Sequence, residues 1–508
     1  MTVMEEGANN PEEIRYISTR GGEAPVTASM AILKGLSDQG GLYVPESFPH
    51  LDVPLERLAQ MTYKELAFVV MRLFLGDFTD EELKTCIDRA YDKKFDTPNI
   101  AEMKQADGAW YLELFHGATI AFKDMALSVL PHLMTTAARK NQVDKEIVIL
   151  TATSGDTGKA ALAGFANVPG TRIVVFYPKN GVSPIQEKQM VTQQGENTCV
   201  IGIRGNFDDA QTAVKRMFGD SGLAETIGNK GFCFSSANSI NIGRLIPQVV
   251  YYVYAYACLL AKGQIRVGEE INFAVPTGNF GNILAAYYAK RIGLPVKKLI
   301  CASNENKVLF DFFRTGIYDR RRDFILTSSP SMDILISSNL ERLIYFAAGN
   351  DPKVCADLMR SLSEQGVYEI TSEMRQRTEG FYGNYLSEEE TFRTIGRVYH
   401  NASYVIDTHT AVGAGVYEKY KEETKDETTT VIASTASPYK FTRSVMKALG
   451  EETGDEDDFA LADRLEKISG VKIPAAVDSI RTAPVLHKQV VDIDDMPGAV
   501  LAFLGITA

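Results

Sequence analysis

The chain has little cysteine, a single tryptophan and fewer basic than acidic side chains. Its six cysteines, Cys86, Cys199, Cys233, Cys258, Cys301 and Cys355, are spread over 508 residues and lie mostly in apolar runs. No CxxC or Cys/His spacing joins them, so neither a disulfide framework nor a metal site is indicated. Lys and Arg total 53 against 65 Asp and Glu, a formal net charge of −12. A surface of that sign does not suit a phosphodiester backbone, so no nucleic-acid partner is expected. The run Arg320-Arg321-Arg322 is compensated by Asp319 and Asp323 and reads as a solvated turn. An uninterrupted membrane-length apolar run is also missing. The stretch from Leu245 to Ala261 carries Pro247, Gln248 and several tyrosines, which makes it a buried helix and not a lipid span. The opening MTVMEEGANNPEE is acidic and lacks the apolar core of a secretion signal or the arginines of a transit peptide, so a cytoplasmic location is expected.

What is present is an ordinary globular composition, 45% hydrophobic and 23% charged, long enough for two or three domains. Residues 1–100 read as a mostly helical N-terminal layer, with LERLAQMTYKELAFVVMRLF showing apolar residues at three and four spacing. From Glu146 the pattern changes to short β-rich runs alternating with helical ones: EIVILTA, TRIVVFYP and TCVIGIRG, then INFAVPT, LICAS and TVIAST. Such alternation implies parallel strands with right-handed crossovers. The expected fold is α/β, two doubly wound units around a cleft. A small unit spans 146–240 and a large one 101–145 with 241–508, carrying a mostly helical insertion at about 305–400.

Polar clusters stand where these strands should end, which is where sites form in α/β sheets. Lys123 lies in LFHGATIAFKD, between an aromatic and a carboxylate, and can form a covalent imine. Gly278-Asn279-Phe280-Gly281-Asn282 follows INFAVPT and precedes a helix, a place where backbone N–H groups hold phosphate. It is neither a Walker loop nor a GxGxxG fingerprint, and a plain tight turn with a helix cap accounts for it equally well. Thr153-Ser154-Gly155-Asp156-Thr157-Gly158 follows EIVILTA and offers hydroxyls and amides to a carboxylate, or simply a capping box. In SSANSINIGR, Asn238 and Arg244 are polar candidates, with Arg244 suited either to an anion or to a structural salt bridge. His116 reads as a packed, hydrogen-bonded turn residue, and His409 is open to the same reading.

HGATIAFKD resembles the HGPTxAFKD lysine motif of the threonine synthase family, which uses pyridoxal phosphate, and TSGDTG, NSIN and PTGNFGN resemble further signatures of that family. YISTRG and GLSDQGGLYVP near the start, and DTHTAVG and STASPYKF near the end, extend the match over nearly the whole chain. Ala118 replaces the usual proline of the lysine motif. The resemblance implies a pyridoxal 5′-phosphate cofactor on Lys123, its phosphate at Gly278, Asn279, Phe280, Gly281 and Asn282, and Thr435 against the pyridine nitrogen. It also implies the substrate O-phospho-L-homoserine, with its carboxylate at Thr153, Ser154 and Thr157 and its phosphate at Lys159 and Arg244. Asp156 is expected to orient its loop. Another lyase acting on a phosphorylated hydroxy amino acid shares this apparatus. A non-catalytic homologue is disfavoured by the intact lysine and glycine loop, and an ATP-dependent enzyme by the missing lysine and hydroxyl of a phosphate loop.

Overall fold

The computed structural model describes residues 14–506 except Ser154 and Ser183. The acidic opening segment and Ser154, named above as a carboxylate ligand, therefore lie outside the described residues.

Two sheets organise the chain. The larger runs, edge to edge, Phe381–Tyr385, Val296–Ser303, Ile271–Pro276, Thr430–Ser434, Ala109–Glu113 and Glu102–Ala106. All neighbours are parallel except the last pair, an antiparallel hairpin. The smaller sheet is wholly parallel, in the order Val490–Val491, Thr198–Ile203, Thr171–Pro178, Glu146–Ala152 and Phe232–Ser235. Its central strands are buried on both faces, as continuous apolar runs such as EIVIL and RIVVF require.

The N-terminal layer begins its main helix, Tyr63–Phe74, with a Thr62/Glu65 capping box. Tyr63, Leu66, Ala67, Val70, Met71 and Phe74 form its buried face, which packs on the helix Ile242–Ala261. Among the described residues this second helix alone is long and apolar enough to cross a bilayer, yet 78% of its apolar window is buried inside the protein. It is the core helix that its tyrosines and Pro247 suggest.

Two placements differ from the expectation. The 305–400 segment, read as helical, supplies the edge strand Phe381–Tyr385 of the larger sheet and the antiparallel pair Ile317–Asp319 and Val367–Glu369. The edge strand, FYGNY, is short, aromatic and only partly buried, and it is held by pairing with Val296–Ser303, so it carries no apolar alternation to read. At the end of the chain, Val490–Val491 extends the smaller sheet and the helix Met496–Phe503 joins the core beneath it, away from the larger unit to which the reading assigned it. A two-residue pairing with a strand nearly 300 positions earlier has no local signature.

Candidate active site

The loops that follow strands Ala109–Glu113, Glu146–Ala152, Ile271–Pro276 and Thr430–Ser434 converge. Leu114 N donates to Ser434 O at 2.9 Å, Phe122 N donates to Thr435 O at 2.8 Å, and Ala121 bridges to Ala436. The lysine segment is thereby stitched along the exit of the neighbouring strand. Asp124 anchors the preceding turn by accepting Thr119 N at 2.7 Å and Thr119 Oγ1 at 2.6 Å. Lys123 is left pointing inward, its Nζ 3.3 Å from Asp156 Oδ2 and 3.2 Å from Ser331 Oγ.

At the glycine loop, Phe280 has φ +63° and opens the helix Gly281–Arg291. The backbone N–H groups of Asn279, Phe280, Gly281 and Asn282 make no hydrogen bond among the described residues. The carbonyls are held away: Gly278 O accepts Ser337 Oγ at 2.6 Å, and Asn279 O accepts Asn339 N at 3.1 Å. Four donors at a helix start make an anion seat. A Cβ on Gly278 would lie 2.5 Å from Ser331 O, so the loop needs glycine there for close approach. The Phe280 ring packs with Phe313 and Phe381, and only its backbone serves the loop. The Asn282 side chain is turned into the core, where its Oδ1 accepts the Tyr251 and Tyr252 hydroxyls. Its buried Nδ2 has no hydrogen-bond partner among the described residues. Thr435 is buried, and its hydroxyl makes no hydrogen bond among the described residues.

Asp156 is the hub. Oδ1 takes Lys440 Nζ at 3.0 Å and Gln186 Nε2 at 2.9 Å, while Oδ2 takes Ser331 Oγ at 2.9 Å in addition to Lys123. Burial alone would raise its pKa, but Lys440, then Lys123 and His409, outweigh it and hold the carboxyl well below the usual range. Burial lowers the Lys123 amine, Asp156 opposes this, and Lys440 and Arg244 reinforce it. The expected loop-orienting aspartate thus touches the reactive amine directly.

Of the other candidates, the Thr153 Oγ1 accepts the N–H groups of Gly155 and Gly158, each at 3.0 Å, and shapes its loop while keeping its own proton to donate. Thr157 is half-buried beside it. Lys159 is 5% exposed, and no hydrogen bond among the described residues uses its amine. Burial drives that amine well below the lysine range, Lys440 adds to the effect, and Asp124 and Asp156 offset only part of it. Arg244 donates Nη1 to Ala237 O at 2.9 Å, its Nε has no hydrogen-bond partner among the described residues, and burial lowers its pKa to about 10. Asn238 stays exposed at the rim. Sequence reasoning missed Ser331, Lys440 and Gln186. It left His409 open, and in the fold His409 Nδ1 meets Asp407 Oδ2 at 2.9 Å while Nε2 accepts Ser331 N at 3.2 Å. STASPYKF had already carried Lys440 into view, but nothing in the motif points it at Asp156.

Family models match this chain along most of its length: "Threonine synthase N terminus" over residues 15–91, "Pyridoxal-phosphate dependent enzyme" over 95–436, and "Threonine synthase, C-terminal" over 410–491. Threonine synthase of Schizosaccharomyces pombe is 37% identical over 469 residues, covering 86% of this chain and 90% of that protein. The chain belongs to the threonine synthase family. Another member of that kinship, human threonine synthase-like 1, is 40% identical over 434 residues, 83% of this chain, but the chain spans only 58% of its length. The crystal structure of pyridoxal-phosphate-bound threonine synthase from Brucella melitensis superposes with a TM-score of 0.85 at 33% identity, covering 96% of this chain and 99% of that one. The residues here fit the cofactor of this threonine synthase family. The N–H groups of 279–282 make no hydrogen bond among the described residues and suit a phosphate, and the close approach of Ser331 O to Gly278 leaves no room for a Cβ there. One serine, Ser331, links that cradle to a buried primary amine.

Proposed function

We propose that the protein is a threonine synthase, converting O-phospho-L-homoserine and water to L-threonine and inorganic phosphate with pyridoxal phosphate held covalently by Lys123, and so acting in threonine biosynthesis. The observation that carries this reading is that Lys123 and the 278–282 helix start open on one site, joined through Ser331. Pyridoxal phosphate, when bound, supplies an electron-withdrawing ring that stabilises negative charge on the substrate carbon beside it.

The chain's residues do the rest. The N–H groups of 279–282 would anchor the cofactor phosphate, and the hydroxyl of Thr435, which makes no hydrogen bond among the described residues, would serve the ring nitrogen. A hydroxyl there, unlike a carboxylate, does not protonate the ring, which favours elimination and replacement over transamination. Lys123 Nζ, once released, takes the proton from the substrate Cα and moves protons at Cβ. Thr153, Ser154 and Thr157 hold the substrate carboxylate with Asn238 beside them, and the phosphate that leaves Cγ is taken by the charged Arg244 guanidinium and by Lys159, whose buried amine gains its proton only against that anion. Asp156 links the smaller sheet's loop to Lys123, so cleft closure excludes water from the reacting carbons until water is required at Cβ.

Incubation with O-phospho-L-homoserine tests the reading: phosphate and threonine appear in equal amounts. Phosphate without threonine assigns the protein instead to a different lyase acting on phosphorylated hydroxy amino acids.

A further inference from the structure

Lys440 is a deeply enclosed cation of the site. Its side chain is 1% exposed, and its Nζ lies 3.0 Å from Asp156 Oδ1 and 3.0 Å from the carbonyl of Thr119. The opposite oxygen of the same carboxylate faces Lys123 Nζ at 3.3 Å. One aspartate from the smaller unit is therefore shared by two lysines from the larger one. The remaining partners of Asp156, Gln186 and Ser331, are neutral donors that fix its orientation without changing its charge.

This sharing bears on what Lys123 must do. A carboxylate alone beside a buried amine holds it as an ammonium ion, which has no lone pair with which to attack an aldehyde. A second ammonium on that carboxylate weakens the hold and repels the proton on the first. The other charged groups around the pair do not replace it. Arg244 acts on Lys123 without a hydrogen bond to Asp156. Lys159 faces Lys440, Asp124 and Asp156 but makes no ion pair among the described residues. Asp124 is occupied by Thr119, and His409 acts on Asp156 through space, its own hydrogen bond going to Ser331 N.

We infer that Lys440 is a positioning residue for Lys123: by sharing Asp156 across the joint between the two units, it keeps that carboxylate from locking Lys123 as an ammonium ion. The inference rests on Lys123 being the cofactor lysine. It gives Lys440 a purpose beyond tying two units together.

The test measures cofactor attachment and not turnover. The full chain, stripped of cofactor, is mixed with pyridoxal phosphate over a pH series. The rate of attachment is read from the absorbance band and from borohydride trapping at Lys123. K440M moves the pH midpoint upward by about one unit or more, and K440R, which keeps the charge, restores it. D156N, close to isosteric, moves the midpoint downward and decides the matter if K440M does not fold. An unchanged midpoint in folded K440M or in D156N, with only a lowered melting temperature, makes the pair a structural latch and overturns the inference. Failure of the unsubstituted chain to attach the cofactor at Lys123 at any pH overturns the cofactor-lysine reading, a separate result.

Discussion

Lys123 and Ser331 are 208 positions apart in the chain and 3.2 Å apart in the fold. The serine hydroxyl meets the lysine amine while the serine carbonyl lies over Gly278, 2.5 Å from where a Cβ would sit. A single residue of the 305–400 segment therefore touches both the amine and the glycine loop. Its backbone is fixed in turn by His409, whose Nε2 accepts Ser331 N at 3.2 Å. That contact places the imidazole proton on Nδ1, toward Asp407.

On the proposed reading, replacing Lys123 removes the group that both attaches the cofactor and moves protons. Lys123→Arg keeps a positive charge beside Asp156 but cannot form the covalent bond. We expect it to lose turnover by about 10²–10⁴-fold or more and to show no borohydride-stable adduct at position 123. Near-normal threonine formation by this variant would remove the lysine from the mechanism.

Gly278→Ala drives a methyl group into Ser331 O. Backbone against backbone cannot yield as a flexible side chain does, so the expected cost is about 1–3 kcal/mol of stability, with weakened cofactor binding because the seat and Ser331 shift together. Thermal unfolding and a cofactor titration measure both. An alanine variant that binds as tightly as glycine would show that the cradle has slack.

Asn282→Ala separates side chain from backbone in the same loop. Its carboxamide oxygen serves Tyr252 at 2.6 Å in the core, so truncation strips the buried Tyr252 hydroxyl of that acceptor and costs about 1–3 kcal/mol, while Tyr251 keeps Gln248 Oε1 at 3.1 Å. The backbone N–H toward the phosphate is unchanged. Cofactor affinity should stay within about threefold of the original while the melting temperature falls; a large loss of affinity at unchanged stability would place the side chain in the site instead.

His116 gives a pH signature. Its Nδ1 lies 2.6 Å from Asp96 Oδ1 and its Nε2 3.2 Å from Glu113 Oε2. Burial lowers its pKa, but the hydrogen bonds and charges of Asp96 and Glu113 prevail and raise it from 6.5 to about 9. A raised folded value means that the stabilisation is fully present below pH 6.5 and is lost as pH climbs through about 9. The gap in melting temperature between the unsubstituted chain and His116→Gln should be widest just below pH 6.5 and close above about pH 9. A gap independent of pH would mean that the imidazole contributes by packing alone.

Much of this was legible in the order of residues. EIVILTA and INFAVPT declare buried parallel strands because both faces are apolar, and GNFGN declares a helix start because small residues let the backbone turn there. The lysine motif declares its chemistry through a primary amine set after a turn of small and hydroxylated residues. Asp156, read as a loop-orienting group, collects Lys440, Gln186, Ser331 and Lys123 on its two oxygens, contacts that its motif does not announce.

The sequence by itself determined the α/β alternation, the N-terminal layer, the strand-end position of the lysine segment and the helix start at the glycine loop, because each depends on neighbours within a turn or a strand of one another. Only the tertiary structure decided that Ser331 joins amine to cradle, that Lys440 shares Asp156 with Lys123, and that Phe381–Tyr385 and Val490–Val491 complete the two sheets. Those contacts pair single residues or very short strands across hundreds of positions. Polar atoms so far apart in the chain are brought together by packing of the whole core, and no local spacing records where they meet.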